Sequence, residues 1–217
     1  MLCYGASGTG SQVAYDLRHQ AGPDAEFLGY IDDVQDPRRT VEPDARVFNF
    51  EEILELDDIG VFVAIHNPVV RREIFARLNA HRIPILGSRG SPHLVHPLAT
   101  IGEGSILSSS TRIGFSTRLG AGVVGFSDLI AHDVEVGDFT TLAYGSIVLG
   151  HVTIGAGVFI GAGAVIKNGS VTRQLTIGDG AIIDAGAIVG SNVPAGTTMM
   201  APHARPTRPQ ASRDPNG

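Results

Sequence analysis

An apolar residue returns every six positions through the second half of the chain: Ile101, Leu107, Ile113 and Leu119, then Val124, Ile130, Val136, Leu142, Val148, Ile154, Ile160 and Ile166, and again Ile177, Ile183 and Val189. Glycine often follows it, as in "IGEGSI", "IGAGVF" and "IGAGAV". No amphipathic helix keeps a period of six, and a flat sheet does not need glycine at such regular intervals. A coil with three short strands per turn needs both: small residues make the corners, and the branched residue points into a narrow interior. Three hexads per coil stack residues about 18 apart on one another, at roughly the 4.8 Å spacing of neighbouring strands. Residues 101–200 then form about five coils, a prism roughly 25 Å long. The period breaks twice. Leu119 to Val124 falls one residue short, and Ile166 to Ile177 holds five extra residues, which predicts an external loop near "VTRQL". The prism walls carry few charges and so expose more apolar surface than a monomer usually does, which predicts a homo-oligomer.

The first half has a different composition. Charged side chains number 23 in residues 1–100 and 11 in residues 101–200, while glycine runs the other way. A junction is expected in the Gly-, Ser- and Pro-rich stretch "GSRGSPHLVHP", Gly87 to Pro97. The division read from the sequence is 1–92 for a small α/β domain, 93–203 for the coil, and 204–217 for a Pro-rich tail with no large apolar residue.

The α/β domain carries a nucleotide-binding pattern. "MLCYGASGTG" is a short apolar strand followed by a glycine turn, and "SQVAYDLRHQ" continues as a helix, so backbone amides at a helix N-terminus face a phosphate. "FLGYIDD" ends a second strand in Asp32 and Asp33, where such folds meet a ribose or a base. A third strand at Val61–Ile65 ends at His66, a helix follows through "VVRREIFARLNAH", and "IPIL" reads as a fourth short strand. Ser7, Thr9, Asp32, Asp33 and His66 all lie at strand C-terminal ends. With too few units for a full dinucleotide fold, a mononucleotide or nucleotide-sugar head group fits the size.

Bulk properties exclude other classes. A net charge of −6 without a basic block argues against nucleic acid. No apolar run approaches the ~18 residues that span a bilayer, and the N-terminus has no basic region and apolar h-region, so a cytoplasmic location is expected with no membrane partner. The single cysteine, Cys3, excludes a disulfide framework and a multi-cysteine metal site but leaves thiol catalysis open. His93, His96 and His203 have no partners at metal-ligand spacing, so no metal is expected.

The segments "YGASGTG", "IDD", "VAIHN", "HPLATIGEGSI" and "LIAHDVEVGDFTTLAYGSIVLGHVTIGAGVFIGAGAVI" together resemble the hexapeptide-repeat sugar acetyltransferases of the PglD/NeuD-like group. The resemblance covers about residues 1–206. It implies a small Rossmann-like N-terminal domain followed by an all-β left-handed parallel β-helix, a homotrimer, and acetyl-CoA as cosubstrate. It implies that His132 is the general base, Asp133 its acidic neighbour, and Gly150 the residue whose backbone amide meets the thioester carbonyl. Thr141, Gly150, Ala162 and Ala185 match coenzyme contacts, and Ser7, Gly8, Thr9, Asp32 and Asp33 match nucleotide contacts. The chain departs from the pattern at Thr9 and Thr141, where the family usually has His, and at Gly125, where an Asn often precedes the base. The C-terminal signature reads Ala201-Pro202-His203-Ala204.

The chemistry suits these residue types. A sugar amine or hydroxyl must lose a proton to attack a thioester, and histidine titrates near the operating pH. A backbone N–H can hold the resulting oxyanion. Gly150 follows His132 by one coil's worth of residues, so the two should stack, and His151 should stack near Asp133 by the same count. Adjacent strand residues point to opposite faces, so Asp133 reaches the His132 ring only if the chain turns there. His66 is divided between substrate contact and loop capping. The expected reaction is N-acetylation of a nucleotide-linked 4-amino-4,6-dideoxy-type sugar. The alternatives are O-acetylation of a sialic acid or related hydroxyl, and a noncatalytic trimer that binds a nucleotide-linked sugar.

Overall fold

The computed structural model describes residues 1–20, 26–34 and 44–202; the expected tail and His203 lie outside them. The first region contains β1 (Leu2–Tyr4), α1 (Gly8–Gln20), β2 (Gly29–Ile31), β3 (Val47–Phe48), α2 (Phe50–Ile53), β4 (Val61–Val63) and α3 (Pro68–Ala80). Its four strands form a parallel sheet in the order β3-β2-β1-β4. Strands β1, β2 and β4 are buried throughout, as strands covered on both faces must be. Asn67 caps α3 through its side-chain oxygen, with Pro68 in the first turn where its missing N–H costs nothing. Helix α2 opens with a reciprocal Asn49–Glu52 capping box. Neither β3 nor α2 is expected from the sequence, because two- and four-residue elements are shorter than any hydrophobic period. The expected strand at Ile83–Leu86 is reduced to a single bridge, Val61 to Ile85.

From Ser88 onward the chain winds as a parallel β-helix with three sheets. One face carries seven strands, from Ser88–Arg89 to Thr198–Met199, and the first domain docks on it. A second face, from Arg112–Ile113 to Ile188–Val189, presents a column of outward apolar residues: Leu129, Ile147, Val165 and Ile188. The third, from Thr100–Ile101 to Leu175–Ile177, presents polar residues, among them the ion pair Arg118–Glu135. Inward residues stack in register and are almost wholly buried.

Pairing corrects the expected register at one point. Gly125, not Val124, aligns with the inward residues Leu107 and Leu142. Val124 faces outward and packs among Ala6, Ile106 and Phe126 against the first domain. The short interval therefore lies between Gly125 and Ile130, one corner later than the hexad count implies. Gly125 is small because a Cβ there would meet Leu107 inside the coil at 2.7 Å. The five extra residues emerge as expected between Val165–Ile166 and Leu175–Ile177, closed by a Ser170–Arg173 bridge.

One side chain fastens the first domain to the coil. Arg71 of α3 is fully buried. Its guanidinium donates to the carbonyls of Gly122 at 2.8 Å, His66 at 3.1 Å and Thr140 at 3.2 Å, to those of Ile65 and Phe139, and to Thr141 Oγ1 at 3.1 Å. The Thr141 hydroxyl donates in turn to the His66 carbonyl at 2.8 Å. Burial pushes the guanidinium pKa down to about 10, so it keeps its charge at neutral pH. Around it, Phe75 and Phe139 meet edge to face at 5.1 Å. The corner glycines Gly104 and Gly122 have φ of +64° and +60°, and a Cβ on either would lie 2.7 to 3.1 Å from the Phe75 ring. Replacing Arg71 by methionine keeps most of the volume but strands several buried carbonyls. The expected loss is at least about 3 kcal/mol of unfolding free energy, read from urea denaturation; a loss below about 1 kcal/mol would show that the carbonyls find other partners.

Candidate active site

His132 and Asp133 sit at the corner between the apolar and polar faces, after strand Leu129–Ile130 and before strand Val134–Val136. Asp133 has φ +55°, and this left-handed step turns the chain. The turn brings the two side chains together, with His132 Nδ1 2.9 Å from Asp133 Oδ2. A carboxylate accepts from Nδ1–H, which leaves the Nε2 lone pair of a neutral imidazole available as a base. The His132 side chain is 54% exposed and can meet a ligand.

Gly150 lies one coil along, against the imidazole. A Cβ on Gly150 would sit 2.7 Å from His132 Cε1 and 2.9 Å from Nε2. The Gly150 amide donates to Asn168 Oδ1 at 3.1 Å. Asn168, one coil beyond, is a residue that the sequence reading misses, although the same 18-residue count that pairs His132 with Gly150 leads to it. His151, also left-handed at φ +56°, brings Nδ1 within 3.8 Å of Asp133 Oδ2, and its ring lies 5.1 Å from that of His132.

The expected coenzyme residues separate. Thr141 is fully buried, and its hydroxyl is taken up by Arg71 and the His66 carbonyl. This corrects the expectation of a coenzyme contact through its side chain. Ala162 and Ala185 are exposed and stack in one column with Tyr144. That column is the corner between the docking face and the apolar face, so the whole apolar face separates it from His132 in the same chain.

The nucleotide-type residues gather in the first domain. A pocket of about 440 Å³ at the C-terminal ends of β1 and β2 is lined by Gly5, Ser7, Asp32, Asp33 and Arg77 among others. Gly8 opens α1 beside it, with no atom within 4 Å of where its Cβ would be. Gly10 is needed for the tight turn, since a Cβ there would lie 1.7 Å from the Gly5 carbonyl oxygen. Thr9 is half-buried in the first turn of α1. Asp33 accepts from the Tyr4 hydroxyl at 2.5 Å, from Arg77 at 2.7 Å and from Phe50 N–H at 3.0 Å. Burial alone would raise its pKa; these donors outweigh burial and hold the carboxyl below its ordinary value. Among the described residues the Asp32 carboxylate makes only a local contact, accepting from Val34 N–H at 2.9 Å, and has lone pairs to spare. His66 is not in the pocket wall. Its ring packs edge-on to Phe126 at 5.7 Å, and burial, followed by the charge of Arg71, lowers its pKa.

Cys3 is fully buried, its Sγ faces the Gly10 carbonyl, and burial raises the thiol pKa to about 12. A protonated, enclosed thiol is no nucleophile, which closes the route through Cys3. Among the described residues no helix is long and apolar enough to cross a membrane.

Residues 133–168 match the family model described as bacterial transferase hexapeptide (six repeats). No curated protein matches the sequence significantly. Among solved structures, WeeI from Acinetobacter baumannii AYE is 31% identical, with 91% of this chain and 94% of that chain covered and a TM-score of 0.71. The acetyltransferase domain of PglB from Neisseria gonorrhoeae FA1090, in complex with acetyl coenzyme A, is 26% identical over 91% of this chain and 93% of that one, with a TM-score of 0.77. PerB from Caulobacter crescentus shares the fold, at 22% identity, 91% coverage of both chains and a TM-score of 0.75. The three-faced coil is the left-handed parallel β-helix of acetyltransferases. With its α/β domain preceding that coil and its hexapeptide run placed beside the His-Asp corner, the chain belongs to the hexapeptide-repeat sugar acetyltransferases of the PglD/NeuD-like group.

Proposed function

We propose that the protein transfers the acetyl group of acetyl-CoA to the amino group of a nucleotide-linked 4-amino-4,6-dideoxy-type sugar, within a homotrimer whose active sites lie between subunits. One observation carries the intersubunit reading. The first domain covers one face of the prism, and His132 stands on the corner opposite that face, so the prism lies between a chain's nucleotide pocket and its own His132. A neighbouring copy packed on the apolar column of Leu129, Ile147, Val165 and Ile188 removes the separation. It also brings the Ala162–Ala185 corner of one chain toward the His132 corner of the next, forming a cleft for the coenzyme. Acetyl coenzyme A in the PglB domain supports the acyl donor.

In this reading the nucleotide phosphates meet the N-terminus of α1 at Ser7, Gly8 and Thr9, and Asp32 accepts from the ribose or base. Asp133 holds the Nδ1–H of His132, and Nε2 takes a proton from the sugar amine as its nitrogen attacks the thioester carbonyl. The carbonyl oxygen, now an oxyanion, accepts from the Gly150 amide in place of Asn168 Oδ1. Collapse re-forms the C=O bond and breaks the C–S bond. The thiolate leaves and takes the proton that His132 Nε2 had accepted, and no enzyme nucleophile takes part.

The deciding assay measures free coenzyme A released from acetyl-CoA with UDP-, GDP- and dTDP-linked 4-amino sugars and with sialic acids. Turnover on one amino-sugar nucleotide is expected, with kcat lowered by about 10²- to 10⁴-fold in His132→Ala. Turnover on sialic acids alone would exchange the amine for a hydroxyl, and an unaffected variant would remove His132 as the base. Gly150→Ala pushes on the imidazole, so kcat should fall at least about tenfold with KM little changed. Gly8→Asp puts a carboxylate into open space at the start of α1, where it favours the helix but repels phosphate, so KM for the nucleotide sugar should rise. Co-expressing Gly8→Asp with His132→Ala tests the intersubunit site. At nucleotide-sugar concentrations well below the raised KM, random mixing restores up to about a quarter of wild-type activity if each site draws its pocket and its base from different copies; a site built within one chain restores none.

A further inference from the structure

The transfer reaction uses His132 and Asp133 but not His151, yet the three converge. One ligand atom from each lies within 4.8 Å of the others. We propose that this cluster binds a divalent first-row transition ion of the zinc type, and that the bound ion switches the enzyme off by taking up the base. In its inhibitory effect the proposal rests on the reading of His132 as the base; the binding does not.

The donor set fits such an ion. Two imidazoles and one carboxylate suit zinc-like ions, whereas magnesium and calcium prefer all-oxygen sites. A tetrahedral ion with bonds of about 2.0–2.2 Å sets its ligand atoms roughly 3.4 Å apart. Asp133 Oδ2 stands 2.9 Å from His132 Nδ1 and 3.8 Å from His151 Nδ1, on either side of that separation, and the two imidazoles offer nitrogens within 4.8 Å of each other, a gap that His132 must turn to shorten. Asp133 and His151 sit on neighbouring left-handed corners that fix their backbones, and the more exposed His132 ring has room to rotate. Three protein ligands leave a fourth position for water. A coordinated His132 and Asp133 no longer form the pair that accepts the amine proton.

The test is calorimetric titration of the chelator-treated assembly with zinc chloride, alongside acetyl transfer at the same zinc concentrations. His151→Asn and Asp133→Asn are suitable variants, because asparagine tolerates the left-handed backbone both positions require. One ion per chain is expected in the wild type, bound tenfold or more weakly in both variants. Transfer by the wild type should fall with zinc and return with EDTA, while His151→Asn keeps transferring in zinc. Absence of zinc binding to the wild type, or equal affinity in both variants, would overturn the site. Binding lost in the variants but without inhibition of the wild type would keep the site and overturn His132 as the group it silences.

Discussion

The arrangement of the two domains depends on a buried cation satisfied without a carboxylate. Arg71 reaches from α3 across the junction and collects five carbonyls and a hydroxyl, two of the carbonyls from the loop after β4 and the rest from corners of the coil. Desolvating a guanidinium is costly, and only a dense shell of acceptors offsets it. Three of the carbonyls and the hydroxyl come from segments 51 to 70 residues away, so the side chain is fully satisfied only when both domains are folded and docked in one orientation. That orientation puts the pocket at the ends of β1 and β2 on one side of the prism and His132 on the other.

The site itself is made by corners. In a coil of two- and three-residue strands, side chains on the flat faces alternate between interior and solvent, and adjacent residues cannot cooperate. At Asp133 and His151 the backbone turns through the left-handed region, which non-glycine residues seldom adopt. This exception folds Asp133 back onto its neighbour and stacks His151 beneath it. Gly150 is small for a steric reason, since the imidazole of His132 occupies the space its side chain would take.

Much of this architecture is legible in the residues alone. The six-residue period announces a coil, and its 18-residue stacking sets Gly150 beside His132 and His151 beside Asp133, because parallel strands in register repeat with the period of the coil. The strand-turn-helix order places Ser7, Asp32 and Asp33 around one pocket. Other features are hidden from it. Val123 and Val124 are both apolar, so the hexad count cannot tell that Gly125 takes the interior place; the docked first domain decides it by burying Val124 from outside. Thr141 reads as a ligand contact only until Arg71 is seen to claim its hydroxyl. Asn168 follows from the same count extended one coil further.

By itself the sequence determined the prism, its inward residues apart from Gly125, and the column on which His132 and Gly150 meet, since these follow from a repeat that each coil enforces on the next. It determined the glycine turn that opens α1 as well, because a strand, a glycine turn and a helix need only local geometry. The tertiary structure decided what depends on contacts between distant segments: the docking through Arg71, the partners of Asp33, the burial of Thr141, and the position of the pocket across the prism from His132. Periodicity records which way a side chain points relative to its own strand, and it carries no record of what another domain brings to meet it.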